Sequence, residues 1–494
     1  MAKAPYVETD KIAKAMLACV APERILSDPV ETETYSYDAS FATRLKRHRP
    51  DVVVRVKSTE EVAKVVRWCY ENDVPIYPRG AATSQSGGAM ALRGGVAIDL
   101  MAMNRILEIA AADLQVICEP GVIHADLNTA LKAHSVFFAP DPGSSQMCSL
   151  GGMIANNSSG VRAVKYGQTR HHVLGLEIVL PGGNIIQTGG LGSRALKTVS
   201  GYELTALLVG SEGTLGIVTK ARLRVLPTPR KRALSLAAFE HLESAGSAVQ
   251  RVFAKGILPS AIELLDRNAL EAIRLFRPDV DLPVAAEVLI FEAEGDPVAV
   301  AETARQIAEA CEGLATKVDW TDDEERAQRL WDARRVVGAA VARVHKGYTR
   351  VYGGEDICVP ITAIPEALRA IHDLGTSYGI YIAIYGHVGD GNIHAAPIID
   401  MRDSDQVDKA KRLIEDIHEL ALTLKGTTTG EHGIGIVRAQ YMAREHGEAL
   451  ELMRLLKRTL DPKNLMNPGK MALDPAEEPR PARTEPPSNE RLQQ

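Results

Sequence analysis

Pro78-Arg79-Gly80-Ala81-Ala82-Thr83-Ser84-Gln85-Ser86-Gly87-Gly88 follows directly on Val74-Pro75-Ile76-Tyr77, an apolar run that reads as a strand. The loop is built of small residues, and its backbone N–H groups and hydroxyls can surround a pyrophosphate without steric hindrance. Alone, it reads equally well as an ordinary surface loop. Two further segments of the same kind shift the balance. Pro140-Asp141-Pro142-Gly143-Ser144-Ser145 leads into Leu150-Gly151-Gly152-Met153-Ile154-Ala155-Asn156-Asn157-Ser158-Ser159-Gly160, and Gly210-Ser211-Glu212-Gly213-Thr214-Leu215-Gly216 is the third. Three such loops in one domain point to a nucleotide cofactor. None is a GxGxxG joining a first strand to a helix and no GxxxxGK[ST] occurs, which disfavours NAD on a Rossmann fold and P-loop ATP chemistry.

Around these loops, residues 51–225 alternate short apolar runs with glycine-rich turns. Strands are predicted at Val52–Val56, Val74–Tyr77, Val96–Asp99, Gln115–Glu119, Leu176–Leu180 and Ile217–Leu226. A helix is predicted over Thr59–Glu71, with Ser58 as its cap and Glu61 three residues on. The mixture predicts an α+β domain, and Pro227-Thr228-Pro229 marks its end. Beyond it, a long helical pattern at Asp323–His345 and a strand at Val288–Glu292 predict a second sheet with covering helices. Further helices are expected at Gln406–Leu424 and Glu448–Leu460. The boundaries read as 1–228, 229–428, 429–474 and a proline-rich tail, 475–494, expected to be disordered.

Lys plus Arg number 57 against 63 Asp plus Glu, a net charge of -6. No basic stripe suggests nucleic acid. The opening MAKAPYVETDKIAKAML lacks a long apolar core, and no run of about 18 apolar residues occurs. A soluble, cytoplasmic protein without a cleaved signal is therefore expected, with a peripheral seat on the inner membrane left open. Six scattered cysteines form no CxxC pair, which predicts reduced thiols and argues against an iron–sulfur cluster on this chain.

Two segments carry chemistry: GHVGDGNIH at Gly386–His394 and GEHGIG at Gly430–Gly435. The run Ile380–Tyr385 is a good strand former, and if Asp390-Gly391 is a two-residue hairpin turn, His387 stands opposite His394. Opposed Cβ atoms lie roughly 4.5 to 5.5 Å apart, close enough for both imidazoles to reach one ion. Glu431 or His432 could supply a third ligand, leaving open positions as catalytic sites do. Zinc, manganese and ferrous iron all suit such a set. The bland alternative, satisfied histidines in a tight hairpin, does not account for so many titratable groups beside so many glycines.

In order, PRGAATSQSGG, PDPGSSQMCSLGGMIANNSSG, GYELTALLVGSEGTLGIVT, GHVGDGNIH, GEHGIG and LMNPGK resemble the FAD-linked dehydrogenases of the vanillyl-alcohol oxidase type. Within them the chain looks most like the D-lactate, glycolate and D-2-hydroxyglutarate dehydrogenase branch. The resemblance spans about Pro50 to Gly469 and implies a two-subdomain FAD-binding domain, an α+β cap domain and a C-terminal segment returning to the flavin. It implies FAD contacts at Arg79, Gly80, Ala81, Thr83, Ser84, Gly87 and Gly88. Further contacts would come from Pro142, Leu150, Gly151, Gly152, Asn156, Asn157, Gly160, Glu212, Gly213, Ile217 and Asn467. The first loop has no histidine, so noncovalent FAD is expected. By the same resemblance His387, His394 and Glu431 would hold the metal and His432 would be the base. Arg334 of Trp331-Asp332-Ala333-Arg334-Arg335 would clamp the substrate carboxylate, although Arg335 beside it leaves room for a merely solvated arginine.

Three polar anchors that the resemblance implies for 2-hydroxyglutarate enzymes fall here on Gly338, Gly354 and Ala396. A short or apolar D-2-hydroxy acid is therefore expected, D-lactate first, with glycolate and D-2-hydroxyglutarate open. The electron acceptor implied is a cytochrome, quinone, electron-transfer flavoprotein or separate iron–sulfur subunit, and a homodimer is left open. A noncatalytic flavoprotein subunit of a redox complex is the rival reading.

Overall fold

The computed structural model describes residues 7–279, 282–283, 287–351 and 356–474. The expected disordered tail and Gly354 lie outside the described residues.

The strands Ile25–Leu26, Val52–Arg55, Val96–Asp99 and Ile76–Arg79 form the first sheet in that order, and its last three strands are parallel. The strand Ile76–Arg79 begins two residues later than its composition suggests, because Pro75 has no N–H to give to the ladder. The first glycine-rich loop therefore leaves the carboxyl end of a parallel strand, where open α/β sheets place their ligands. Helix Thr59–Glu71 covers this sheet. Ser58 caps it by accepting the N–H of Glu61, but the Glu61 carboxylate binds the Lys57 N–H and Arg24 instead of closing a capping box. The second sheet is antiparallel, in the order Ile106–Ala110, Gln115–Cys118, Ile217–Arg224, Val173–Val179, Ile185–Gln187.

The third sheet runs Lys317–Thr321, Lys231–Phe239, Glu287–Gly295, Ala261–Leu265, Tyr381–Gly386, Asn392–Ile399, Thr349–Arg350. Apolar side chains alternate across it. Ile262 and Leu264 join the core under helices Leu242–Ala254, Pro297–Cys311, Ile364–Tyr378 and Ser404–Thr423, while Ala261 and Leu265 face helices Arg267–Phe276 and Glu324–Arg335. The single helix expected over Asp323–His345 is broken into Glu324–Arg335 and Val337–Val341. The break falls at Val336-Val337-Gly338, all weak helix formers.

The C-terminal segment returns to the first sheet. Ile76 donates its N–H to Leu465 O at 2.8 Å and accepts the Asn467 N–H at 2.7 Å, so residues 465–467 extend the sheet edge. Buried Lys457 pins the same segment through Met466 O, Thr214 O and Asp461. All six cysteines are free thiols.

Candidate active site

The three glycine-rich loops meet around one cavity of about 640 Å³, within the ~300–1,000 Å³ range usual for cofactor sites. Their glycines let the loops touch: a Cβ on Gly80 would lie 2.5 Å from Ser149 Oγ, and one on Gly160 2.0 Å from Asp141 O. The lining includes Ser84, Ser144 and Ser145 as well as the histidine cluster. A cavity of this size, lined by three glycine- and serine-rich loops together with apolar side chains, fits a dinucleotide.

Of the residues expected to contact FAD, Arg79, Gly80, Ala81, Thr83, Ser84, Gly88, Pro142, Gly151, Gly152, Asn156, Glu212, Gly213 and Ile217 line this cavity. Their side-chain roles differ from expectation in places. The Arg79 guanidinium turns away and donates to Tyr35 O and Tyr37 O, holding the N-terminal segment. The N–H groups of Gly151 and Gly152 are already given to Pro120 O and Ser149 Oγ. Glu212 accepts the N–H groups of Ile434 at 2.7 Å and Gly435 at 2.8 Å, so its carboxylate ties the third loop to GEHGIG.

Five expected contacts stand off the wall. Gly87 donates to Asp38, Leu150 is buried in the core, and Asn157 ends its helix while bonding Gln168 and the Arg170 N–H. Gly160 packs on Asp141, and Asn467 donates to Gly88 O and Glu212 O. In this structure these five residues shape the loops and do not line the cavity.

The hairpin of the second segment has a different register from the one expected. Tyr385, not His387, pairs with His394, because the strand ends at Gly386 and residues 387–391 form a tight loop before the next strand starts at Asn392. In it the His387 carbonyl accepts the N–H groups of both Asp390 and Asn392. The loop still brings the two histidine rings to 5.2 Å. His432 stacks on His394 at 5.3 Å with the planes 6° apart. The Nε2 atoms of His387, His394 and His432 lie 3.4, 3.5 and 3.7 Å from Glu431 Oε1. Three imidazole nitrogens and a carboxylate oxygen facing a cavity are a donor set for a divalent cation of the zinc, manganese or iron kind.

Two carboxylates that sequence reasoning missed hold this cluster. Glu263, fully buried in strand Ala261–Leu265, lies 2.6 Å from His387 Nδ1 and 2.6 Å from Arg334 Nη2. Asp356 accepts from the N–H groups of Glu431 and His432, the Thr429 hydroxyl and the Asn392 amide. Asp356, His394, Glu431 and His432 could by proximity alone form a ligand group. The four donors already on Asp356 assign it instead to orienting the Glu431-His432 turn. The signal for Glu263 was a carboxylate in the apolar run Ala261-Ile262-Glu263-Leu264-Leu265. Both Arg334 and Arg335 border the cavity, but Arg334 is buried, its guanidinium 5.3 Å from the Tyr385 ring, whereas Arg335 is exposed and pairs with Asp332.

The charges reinforce one another. Burial alone would depress the His387 pKa, but the Glu263 and Glu431 carboxylates raise it well above the ordinary histidine value. His394 is pushed down to about 3 by burial and by His387 beside it. Despite burial, Glu431 is held down at about 2 by the histidines. Against burial too, His432 and Arg438 keep Asp356 well below the usual carboxylate range. Asp356→Ala would leave its four donors without an acceptor; a loss of about 3–5 kcal/mol in denaturant unfolding is expected.

Family comparison matches residues 50–189 to an FAD binding domain and residues 228–471 to the C-terminal domain of FAD linked oxidases. The glycolate oxidase subunit GlcD of Bacillus subtilis is 37% identical over 466 residues, covering 94% of this chain and 97% of that protein. A probable mitochondrial D-lactate dehydrogenase of Danio rerio is 38% identical over 425 residues, covering 85% and 84%. The D-lactate dehydrogenase of Archaeoglobus fulgidus is 35% identical, covering 85% and 91%. Among solved structures, 4-ethylphenol oxidase from Gulosibacter chungangensis aligns with a TM-score of 0.79 at 16% identity, covering 95% of this chain and 98% of that one. p-Cresol methylhydroxylase aligns at 0.77 and 16%, covering 94% and 97%. The fold is thus the α+β vanillyl-alcohol oxidase type, with an FAD-binding domain and a cap. No helix among the described residues is long and apolar enough to cross a membrane.

Proposed function

The chain belongs to the FAD-linked oxidases of the D-lactate dehydrogenase and glycolate oxidase type, and we propose that it oxidises a short D-2-hydroxy acid, D-lactate first, to the 2-oxo acid. The observation that carries the proposal is the convergence of three imidazoles on Glu431 Oε1 beside buried Arg334, all on the wall of the cofactor cavity. The cavity residues named above would hold FAD noncovalently, and His387, His394 and Glu431 would hold a divalent cation. When bound, FAD would take up the hydride while the cation polarises the substrate hydroxyl and carboxylate.

The protein's own groups do the rest. Arg334 offers its guanidinium to the substrate carboxylate. His432 takes the hydroxyl proton at Nε2, the nitrogen on the Glu431 side of the ring. Its Nδ1 lies 3.9 Å from Asp356 Oδ2, too far for a hydrogen bond. Asn156 donates to both Ser84 Oγ and His432 O, tying the first cofactor loop to the base.

The substrate side chain is argued from the same wall. Ala396 is buried in the sheet core, and Gly338 lines the cavity without offering a polar group. Arg350 lines the cavity as well, 5.4 Å from the Tyr385 ring, with its Nη1 2.4 Å from where a Gly338 Cβ would stand. This cation supports a second reading, a dicarboxylic D-2-hydroxy acid whose distal carboxylate meets Arg350. A panel of D- and L-lactate, glycolate and D-2-hydroxyglutarate with an artificial electron acceptor tests both. D-lactate should give the highest kcat/KM and Arg350→Ala should change it less than threefold. A preference for D-2-hydroxyglutarate that Arg350→Ala abolishes would establish the second reading instead. The electrons would leave the flavin to a cytochrome, quinone, electron-transfer flavoprotein or iron–sulfur partner.

A further inference from the structure

Glu263 sits in the middle of the third sheet with no exposed surface, between strands Glu287–Gly295 and Tyr381–Gly386. Its neighbours on the same strand face, Ala261 and Leu265, pack in an apolar cluster with Leu330, Trp331 and Tyr385. A carboxylate there is costly unless each oxygen is matched. Here each oxygen has its own neighbour at 2.6 Å: Oε1 is hydrogen-bonded to the His387 Nδ1, and Oε2 is ion-paired with the Arg334 Nη2 without the geometry of a hydrogen bond.

This division has a chemical consequence. A carboxylate only accepts, so His387 carries a proton on Nδ1 toward Glu263, and Nε2, on the Glu431 side, is the nitrogen that would meet a cation. The same carboxylate fixes one end of the Arg334 guanidinium and aligns the rest of it along the cavity wall. We propose that Glu263 is a positioning residue that couples the cation site to the substrate clamp, so that a change at either one is felt at the other. The proposal rests on the reading of His387 as ligand and Arg334 as clamp. Glutamine at 263 could satisfy one partner through its single carbonyl oxygen, but would turn an NH2 group toward the other donor. Aspartate, one methylene shorter, would reach at most one of the two at full strength.

The test is metal affinity of the FAD-loaded protein, with Mn²⁺ and Zn²⁺ as probes in competition with a chromogenic chelator, beside separate KM and kcat values for D-lactate. Glu263→Gln should weaken metal binding about 10–100-fold and raise KM. Arg334→Ala leaves every proposed ligand in place, yet should shift metal affinity at least threefold, and this cross-effect should vanish in the Glu263→Gln/Arg334→Ala double variant. A purely structural role would not produce that non-additivity. If Glu263→Gln does not fold, the metal affinity of Arg334→Ala decides alone. Metal affinity within twofold of wild type in either single variant overturns the coupling. A wild-type protein that takes up neither cation would defeat the reading of the site itself.

Discussion

His432→Ala is expected to keep FAD and the divalent cation and to lose flavin reduction by D-lactate by a factor of about 10²–10⁴, the usual contribution of a positioned general base. The imidazole stacks on His394, its Nδ1 has no hydrogen-bond partner among the described residues, and its turn is held by backbone bonds to Asp356. Removing the side chain therefore leaves the turn in place. Rapid mixing under anaerobic conditions reads the reduction rate, and metal analysis of the same sample reads occupancy. Reduction near the wild-type rate would show that another group takes the proton. Loss of metal together with activity would instead make His432 a ligand, as its nearness to His394 and Glu431 allows.

His387→Ala carries the second large effect. Its ring is buried, bonded through Nδ1 to Glu263 and aimed through Nε2 at Glu431. Truncation removes one of three proposed ligands and leaves Glu263 facing Arg334 alone. Metal affinity should fall by more than the ~10–100-fold that loss of an outer-shell partner costs, and activity should fall with it. Metal content unchanged after dialysis would contradict the ligand set. Flavin content is the internal control: no cofactor loop is bonded to this side chain, so FAD should remain bound.

Much of this site is legible in the linear chain because its loops must be glycine-rich to pack closely. Gly80 against Ser149 and Gly160 against Asp141 leave no room for a side chain, and composition records that directly. What the chain conceals is register and long-range pairing. The loop at residues 387–391 shifts the hairpin pairing so that Tyr385 stands opposite His394, and no local rule distinguishes that loop from a two-residue Asp-Gly turn. Glu263 is 124 positions from His387, and Asp356 is 75 from Glu431, so neither contact leaves a local pattern. Burial separates Arg334 from Arg335, a distinction that adjacent identical residues cannot carry. Asn467 and Gly160 stand off the cavity for a related reason: a motif marks what the loops require as well as what lines the cavity.

The most direct measurement is anaerobic mixing of the FAD- and metal-loaded protein with D-lactate while the flavin absorbance is followed. The proposed chemistry predicts bleaching of the oxidised flavin with one pyruvate formed per flavin reduced, no bleaching with L-lactate, and loss of the reaction after chelation. A flavin that stays oxidised with D-lactate, glycolate and D-2-hydroxyglutarate alike would contradict it and favour a noncatalytic flavoprotein subunit.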